Sequence, residues 1–283
     1  MLSYIIYVGL SLALILGLLK KSVDLNVIKR DATREAVLVS ILNSLAGPGQ
    51  FLSYITFVGT SSIFTRLGKE YKISRLLSKD VYGRDRLQIV AVGLLPGAIG
   101  SICMILYMIG LRDTATKLLL LPLAMIATSN ADTWASEIGV LYKGKPRLIL
   151  KPNIKVEPGT SGAVSPLGIV ASLGGAATIA CVSALTTRLT ECVLCDPSYS
   201  MQMIFMIVLI SGFVGEVTDS ILGYALQEKR RCRICGTICE HDYHCGEPTE
   251  YLWGIRNIKG EHINMMAQAV SAITCLLLTS LLV

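Results

Sequence analysis

Residues 36–64 read AVLVSILNSLAGPGQFLSYITFVGTSSIF, an apolar segment interrupted at its centre by Ala46-Gly47-Pro48-Gly49-Gln50. Proline cannot continue a preceding helix and glycine readily adopts turn conformations, so this run predicts a helix break and a turn. Basic segments lie on both sides, at 20–34 and 66–86. The positive-inside rule places both in the cytoplasm, which requires the segment to enter the membrane and return. The stretch therefore predicts a hairpin of two short helices. A single crossing is the alternative, and it would leave one basic loop on the wrong side.

The remainder of the chain is also dominated by apolar stretches. Of its 283 residues, 52% are apolar and 16% are charged, a balance typical of a protein that lies largely in hydrocarbon. Most stretches can cross ~30 Å at 1.5 Å per residue. They are residues 4–19, 87–111, 115–138, 163–185, 201–226 and 263–283. We therefore predict an all-α, polytopic membrane helix bundle, with about six full spans plus the hairpin, that forms one domain over residues 1–283.

The distribution of charge predicts the orientation of the bundle. The first stretch has no basic residue before it and is followed by Leu18-Leu19-Lys20-Lys21, so we interpret it as a retained helix and not as a signal peptide. With the hairpin in place, the basic segments at 20–34, 66–86, 143–155 and 229–259 all share the cytoplasmic side. The net charge of +6 is then explained by topology and anionic headgroups, and we expect no nucleic-acid partner. We expect an integral protein of the cell membrane whose active face is cytoplasmic.

Four acidic residues fall inside predicted spans, where each charge costs at least ~2.5 kcal/mol. Glu216 and Asp219 are three residues apart and share a helix face with glycines, so that face is open to a ligand. Asp132 and Glu137 are five residues apart, about 140° around a helix, and would converge only if the helix ends or unwinds between them. The polar run from Thr128 favours such unwinding. Alternatively, the acids pair with nearby lysines or arginines and only fix the helix register.

A turn rich in glycine and hydroxyl residues, EPGTSGAVS at 157–165, leads into the fifth span at the same face. We name residues 157–165 the Gly-rich turn. Backbone amides at a helix N-terminus favour a phosphate, because the donors and the helix dipole both attract an anion. Such turns also simply begin helices. Phosphate binding gains support from the basic residues at 143–155 that precede the turn.

A second cluster lies in residues 227–262, which we name the Cys/His-rich segment and place in the cytoplasm. The run CRICGTICEHDYHC at 232–245 contains a Cys-x-x-Cys knuckle, and a reducing compartment favours a metal over disulfides. Among its candidate ligands we select Cys232, Cys235, His244 and Cys245 as a structural zinc site. The alternative is a polar loop without metal. Cys192 and Cys195, on the opposite side, are candidates for a labile disulfide.

These motifs together resemble a membrane protein family long labelled only as a domain of unknown function, which includes plant phytyl-phosphate kinase and archaeal geranylgeranyl-phosphate kinase. The resemblance covers most of the chain. It rests on ADTWASEIG at 131–139, PGTSGAVS at 158–165 with Gly168, and DSILG at 219–223 through Gln227. Weaker similarities are SSIFTRLG at 61–68, RLQIV at 86–90, HCG at 244–246 and IN at 263–264. AVG at 91–93 and GE at 260–261 depart from the family pattern, which bears on substrate choice more than on the reaction.

The resemblance implies transfer of a phosphoryl group from a nucleoside triphosphate to an isoprenyl monophosphate, giving the diphosphate. Because the acceptor is already an anion, catalysis needs no general base and reduces to metal-assisted neutralisation and alignment. Asp132, Glu137 and Asp219 would then hold Mg²⁺, with Glu216 assisting. The phosphate-binding residues would be Gly159, Thr160, Ser161, Gly162 and Ser165, with positive charge from Arg66, Lys69 or Arg86.

A different class of function also fits these features. Broken helices and intramembrane acids build the sites of ion-coupled transporters of small or lipid-linked anions. Transporter sites tend to lie near mid-membrane, whereas the acids here lie near one face, and no inverted repeat is visible. The kinase is therefore the favoured hypothesis and transport is the alternative, with a structural role as the third.

The hairpin predicts a definite labelling pattern. In a background without other reactive cysteines, Lys29→Cys and Lys79→Cys should both react with an impermeant thiol reagent from the cytoplasmic face of sealed vesicles, because the hairpin returns the chain to that face. Asp113→Cys, in a poorly charged loop, should react from the other face. Labelling of Lys29→Cys and Lys79→Cys from opposite faces would contradict the hairpin.

Overall fold

The computed structural model describes residues 2–74, 82–189, 199–236, 238–239 and 242–282, and it is mostly helical. Five helices in this part of the chain are long and apolar enough to cross a membrane: Tyr4–Asp24, Arg86–Met108, Pro166–Thr186, Met201–Ala225 and Gly260–Leu282. The predicted helical membrane bundle is confirmed. Cys192 and Cys195 lie outside the described residues.

The helices follow the apolar pattern of the sequence. Their bounds are α1 (Leu2–Asp24), α2 (Thr33–Leu45), α3 (Pro48–Arg66), α4 (Lys69–Ser74), α5 (Arg86–Met108), α6 (Arg112–Leu118), α7 (Leu120–Gly139), α8 (Pro166–Leu189), α9 (Met201–Ala225) and α10 (Gly260–Leu282). Large apolar side chains remain exposed on the outer faces of the spans, among them Leu14, Ile105, Val170 and Ile273. An apolar outer surface is what contact with lipid requires.

The hairpin is formed by α2 and α3. Gly47 has φ +106°, a value that favours glycine, and Pro48 occupies the first turn of α3. At the far end of the hairpin, Tyr4 near the start of α1 donates a hydrogen bond to the Leu45 carbonyl oxygen at 2.6 Å. At the other end, Arg66 donates to the Leu25 carbonyl oxygen at 2.6 Å. Since α3 returns to the end of the bundle from which α2 departs, the predicted hairpin is confirmed.

Amide side chains fasten this hairpin to α5. Gln50 donates to the Pro96 carbonyl oxygen at 2.8 Å and to Asn43 Oδ1 at 3.0 Å, and Asn43 donates to the Gly93 carbonyl oxygen at 3.1 Å. A side chain at Gly100 would collide with Gln50, so the glycine allows the two helices to approach. Interhelical hydrogen bonds and small residues are the usual means of packing helices in lipid.

Helix α7 lies at the centre of the bundle, in contact with α3, α5, α8, α9 and α10. Asn130 is fully buried, donates to the Gly175 carbonyl oxygen at 2.8 Å and accepts from Thr60 at 3.0 Å. Gly175 and Gly212 lie so close to the α7 backbone that a side chain at either position would not fit. The polar run of α7 therefore faces protein and not lipid, which removes most of the cost of placing it in the membrane.

One end of the bundle carries most of the connecting segments, and we name it the site face. It comprises residues 25–32, 67–74, 82–85, 140–165, 226–236, 238–239 and 242–259. The first two connections meet there, because Arg84 donates from its backbone to Val27 at 3.0 Å and accepts from Lys29 at 3.0 Å. The predicted basic segments therefore share one end of the molecule.

Two small antiparallel sheets and a strand pair cover the site face. The first sheet has the order β2-β1-β3, formed by β1 (Arg147–Leu148), β2 (Lys151–Lys155) and β3 (Ala163–Val164). The second has the order β5-β4-β8, formed by β4 (Lys229–Arg231), β5 (Ile238–Cys239) and β8 (Glu250–Trp253). Strands β6 (Tyr243–His244) and β7 (Glu247–Pro248) form the pair. The sequence predicts only loops here, because strands of two to five residues carry too little periodicity to be recognised.

A buried ion pair joins α4 to α7. Lys72 Nζ lies 2.6 Å from Glu137 Oε2 and also donates to the Phe64 carbonyl oxygen at 2.7 Å. Lys72 is 0% and Glu137 4% exposed. The expected unwinding of α7 does not occur, because the helix continues to Gly139. Glu137 is bound by Lys72, so the alternative of pairing with a nearby lysine applies to it.

Removing one member of this pair should destabilise the protein. Lys72→Met leaves the Glu137 carboxylate buried without its counter-charge, so we expect a loss of about 3–5 kcal/mol in the free energy of unfolding. Lys69→Met, an exposed position on the same helix, is the control and should change little. The measurement is unfolding in detergent micelles. Adding Glu137→Leu to Lys72→Met should recover part of the loss, and equal stability of the two single variants would refute the role of the pair.

Candidate functional site

A cavity of about 1190 Å³ opens at the site face. Its walls are formed by the C-terminal ends of α7 and α9, the N-terminal ends of α8 and α10, the Gly-rich turn and the Cys/His-rich segment. These elements are distant in sequence, and the bundle brings them together because α7, α8, α9 and α10 are mutual neighbours. A concave site of this size with converging polar groups is typical of ligand binding.

All four predicted acids line this cavity, from α7 and α9. Glu137 does so with its carboxylate paired to Lys72, and Asp132, Glu216 and Asp219 line the cavity with it. Glu216 is buried, and its carboxylate lies close enough to Asp132 for their negative charges to repel each other. Ser220 donates a hydrogen bond to Glu216 at 3.4 Å. Two adjacent carboxylates in a poorly solvated place favour a bound cation, because the cation relieves their repulsion.

Asp219 is oriented by α10. With the amide nitrogen of Asn264 directed towards Asp219, it donates to Asp219 Oδ2 at 2.8 Å and to the Gly260 carbonyl oxygen at 3.2 Å. In the sequence, Asn264 stands out only through a weak similarity to the family. A polar residue near the start of an otherwise apolar span was the signal that could have identified it.

The Gly-rich turn is held against α9. Gly159 and Gly162 have φ values of +84° and +75°, and a side chain at Gly162 would collide with Tyr224. Ser161 donates to Gln227 Oε1 at 2.7 Å. These contacts fix the turn at the edge of the cavity, where all its residues from Pro158 to Ser165 line the wall.

Two hydroxyl groups of the Gly-rich turn have structural partners. Ser165 accepts from the Gly168 backbone amide at 3.1 Å and donates to the Gly139 carbonyl oxygen at 3.4 Å, as an N-cap of α8 does. Thr160 donates to the Glu157 carbonyl oxygen at 2.8 Å. Ser165 thus begins a helix, one of the two uses that the sequence left open for this turn.

The three predicted phosphate-binding cations lie away from the cavity lining. Arg66 reaches Leu25, Lys69 is exposed on α4, and Arg86 is exposed beside Asp31 at 3.5 Å. They were offered as sources of positive charge for the reaction that the resemblance implies, and the fold places them outside this cavity lining.

Other cations line the cavity in their place: Lys29, Arg230, Arg256 and Lys259. Arg230 is engaged by Glu228 at 2.6 Å and by the Thr249 carbonyl oxygen at 2.9 Å. The Asn257 backbone amide, with Arg230 and Arg256, lowers the pKa of Glu228 below its ordinary value. Glu228 therefore stays charged. It lies near the start of the Cys/His-rich segment and holds Asn257, near the end of that segment, through a hydrogen bond.

The floor and one side of the cavity are apolar. Phe213 and Val217 contribute from α9, Ile169 from α8 and Leu87 from α5. Ile169 and Leu87 are 46% and 64% exposed. The cavity thus has both polar and apolar walls.

The selected cysteine and histidine residues lie together beyond the cavity. The candidate ligand atoms of Cys232, Cys235, His244 and Cys245 all lie within 4.8 Å of one another. Cys235 Sγ is 3.5 Å from His244 Nδ1, and Cys245 Sγ is 3.8 Å from Cys235 Sγ. The hydrogen bond between Cys245 and Cys235 raises the pKa of Cys245 to about 11, and desolvation and the neighbouring Cys232 act in the same direction.

The chain is similar to membrane proteins of plants and archaea. Protein PGR of Arabidopsis thaliana is 33% identical over 110 residues, which are 38% of this chain and 37% of that protein, so the match spans little more than a third of it. An uncharacterized membrane protein of Methanocaldococcus jannaschii is 26% identical over 194 residues, 69% of this chain and 72% of that protein. No solved structure matches the chain.

A family model covers nearly all of the chain. The model described as integral membrane protein DUF92 matches residues 12–272. That region runs from α1 into α10 and includes the acids, the Gly-rich turn and the cysteine–histidine cluster. The chain therefore belongs to the DUF92 family of integral membrane proteins.

Proposed function

We propose that this protein transfers a phosphoryl group from a nucleoside triphosphate to an isoprenyl monophosphate within the cavity. The observation that carries the proposal is that Asp132, Glu216 and Asp219 line one cavity at the site face together with the Gly-rich turn. Acids that hold a metal and backbone amides that hold phosphate are the recurring parts of phosphoryl-transfer sites.

The acids would bind Mg²⁺, for which carboxylate oxygens are the preferred protein ligands. Magnesium neutralises the charge of the donor phosphates and of the group being transferred. Asp132 and Asp219 are the proposed ligands, with Asn264 orienting Asp219 and Glu216 adding charge from its buried position. Glu137 is left out of this set because its carboxylate is engaged by Lys72.

The acceptor proposed here has a charged head and an apolar tail, and the cavity has walls of both kinds. Phe213, Val217 and Ile169 suit an isoprenyl chain, whereas the Gly-rich turn suits its phosphate. The acceptor phosphate attacks the terminal phosphorus of the donor, and the bond to the leaving nucleoside diphosphate breaks. No protein group has to remove a proton, which agrees with a site built from acids and amides.

The direct test is product formation by the purified protein. The protein in detergent is incubated with γ-labelled ATP or CTP, Mg²⁺ and a panel of isoprenyl monophosphates, and labelled diphosphate is measured. Formation of the diphosphate supports the proposal. Its absence with every donor, together with uptake of labelled prenyl phosphate or phosphate into proteoliposomes, would instead favour the transporter hypothesis.

Removing the charge of either proposed magnesium ligand should abolish most activity. Asp132→Asn and Asp219→Asn retain size but lose the charge that holds the metal, so we expect turnover to fall about a hundredfold or more. Thermal stability should not fall in either variant, and excess Mg²⁺ should restore part of the activity. Asp113→Asn, an exposed acid at the opposite end, is the matched control. Full activity in both variants would remove this assignment.

Glu216 gives a test that does not depend on turnover. Because Glu216 and Asp132 repel each other in a poorly solvated place, Glu216→Gln should raise the thermal midpoint in the absence of divalent cations by a few °C. Mg²⁺ should raise the midpoint of the wild-type protein, since a ligand stabilises the state that it binds. It should have a smaller effect on Glu216→Gln. Scanning calorimetry with and without Mg²⁺ checks both, and an unchanged response to Mg²⁺ would contradict the metal site.

A further inference from the structure

We infer that Arg256 and Lys259 bind the phosphates of the donor, and that a zinc ion held by Cys232, Cys235, His244 and Cys245 keeps the strands that carry them in position. The inference rests on the proposed function, whose donor is a polyphosphate. It assigns the Cys/His-rich segment a direct part in the site.

The charge on the described cavity wall supports the first half of the inference. Arg256 and Lys259 are exposed and line the cavity, and the Arg256 guanidinium lies over the Tyr251 ring at 5.1 Å. Arg230 also lines it, but Glu228 and Thr249 hold its guanidinium. Arginine binds phosphate through a planar set of donors, and lysine acts as a point charge.

Backbone contacts fix Arg256 relative to the end of α9. Ile255 donates from its backbone to Leu226 at 2.9 Å, and Glu228 donates to Ile258 at 2.9 Å. The Asn257 amide donates to Glu228 Oε2 at 2.7 Å. Residues 255–258 therefore move with the residues that begin β4.

The cluster has the ligands and spacing that zinc requires. Zinc–sulfur bonds of about 2.3 Å at tetrahedral angles place sulfur atoms about 3.7 Å apart, and Cys235 and Cys245 are separated by 3.8 Å. Both groups of ligands end in a glycine with positive φ, +72° at Gly236 and +80° at Gly246. Each cysteine is thus followed by a glycine in the left-handed region, which lets the chain turn directly after the ligand.

A short path connects the cluster to the cavity wall. Cys232 directly follows β4, which pairs with β8, and β8 leads to Arg256. A second connection runs through Asp242, which lies two residues before His244. Its carbonyl oxygen accepts a hydrogen bond from the Thr249 backbone amide at 2.9 Å, directly before β8. Structural zinc contributes its binding free energy to folding, so loss of the ion should loosen both β4 and β8.

The first experiment measures zinc and its effect on polyphosphate binding. We expect about one zinc per chain in protein purified without chelators. Removal with 1,10-phenanthroline, followed by desalting, should weaken binding of Mg²⁺–tripolyphosphate about tenfold, as loss of groups that support a site does. It should also open residues 229–253 to protease, and added zinc should reverse both changes.

Two pairs of variants separate the roles. Arg256→Gln should weaken tripolyphosphate binding about tenfold while zinc content stays unchanged. Arg233→Gln is its control, because Arg233 is an exposed residue of the same segment that pairs with Glu250 at 2.9 Å. Cys245→Ser should lose zinc and weaken binding, whereas Cys239→Ser, outside the cluster, should retain both. If Cys245→Ser does not fold, the reversible removal of zinc supplies the same comparison.

Several results would overturn the inference. They are wild-type protein without zinc, tripolyphosphate binding that is absent or unaffected by zinc removal, and an Arg256→Gln variant with normal affinity. The proposed function fails separately. Zinc-dependent tripolyphosphate binding without phosphorylation of any prenyl phosphate would leave the inference intact and reject the kinase.

Discussion

Polar groups inside a bilayer must find partners within the protein, because lipid offers none, and the rest of this structure depends on that constraint. Helix α7 carries a buried run of such groups. Asn130 forms hydrogen bonds with Thr60 of α3 and Gly175 of α8. Ser129 accepts a hydrogen bond from Gln268 of α10 at 3.1 Å. The helix can satisfy these groups only at the centre of the bundle. Its central position in turn delivers Asp132 to the junction of α8, α9 and α10, where the cavity forms.

The same constraint gives the two acids of α7, Asp132 and Glu137, different surroundings. Glu137 is buried and is neutralised by Lys72, so its charge is used to hold α4 against the bundle. Asp132 is half-buried beside Glu216, and this pair of like charges is not a stabilising contact. Folding stability alone gives no reason to keep two carboxylates together there. Sites whose local energetics oppose folding are often the functional ones.

The sequence predicts most of the fold and part of the site. Long apolar stretches and the Gly47-Pro48 break determine the spans and the hairpin, because lipid imposes a strong pattern on sequence. The spacing around Cys235 and His244 selected four side chains that the structure brings together. The sequence does not identify Lys72 as the partner of Glu137 or Arg256 as a residue of the cavity. A lysine or arginine outside the predicted spans carries no local pattern that indicates which acid or cavity it will reach. The Lys72–Glu137 pairing depends on contacts between residues 65 positions apart, which a single sequence does not encode visibly.

The short hairpin also affects the lipid around it. Helix α2 has 13 residues and so rises about 20 Å, whereas the hydrocarbon of a typical bilayer is ~30 Å thick. Its partner α3 is longer, and both helices expose leucines such as Leu38 and Leu52 to the outside. A bilayer responds to so short an apolar segment by thinning locally, at a cost of fractions of a kcal/mol per Å of mismatch. On this physical ground the hairpin is accommodated at lower cost in a thin bilayer than in a thick one.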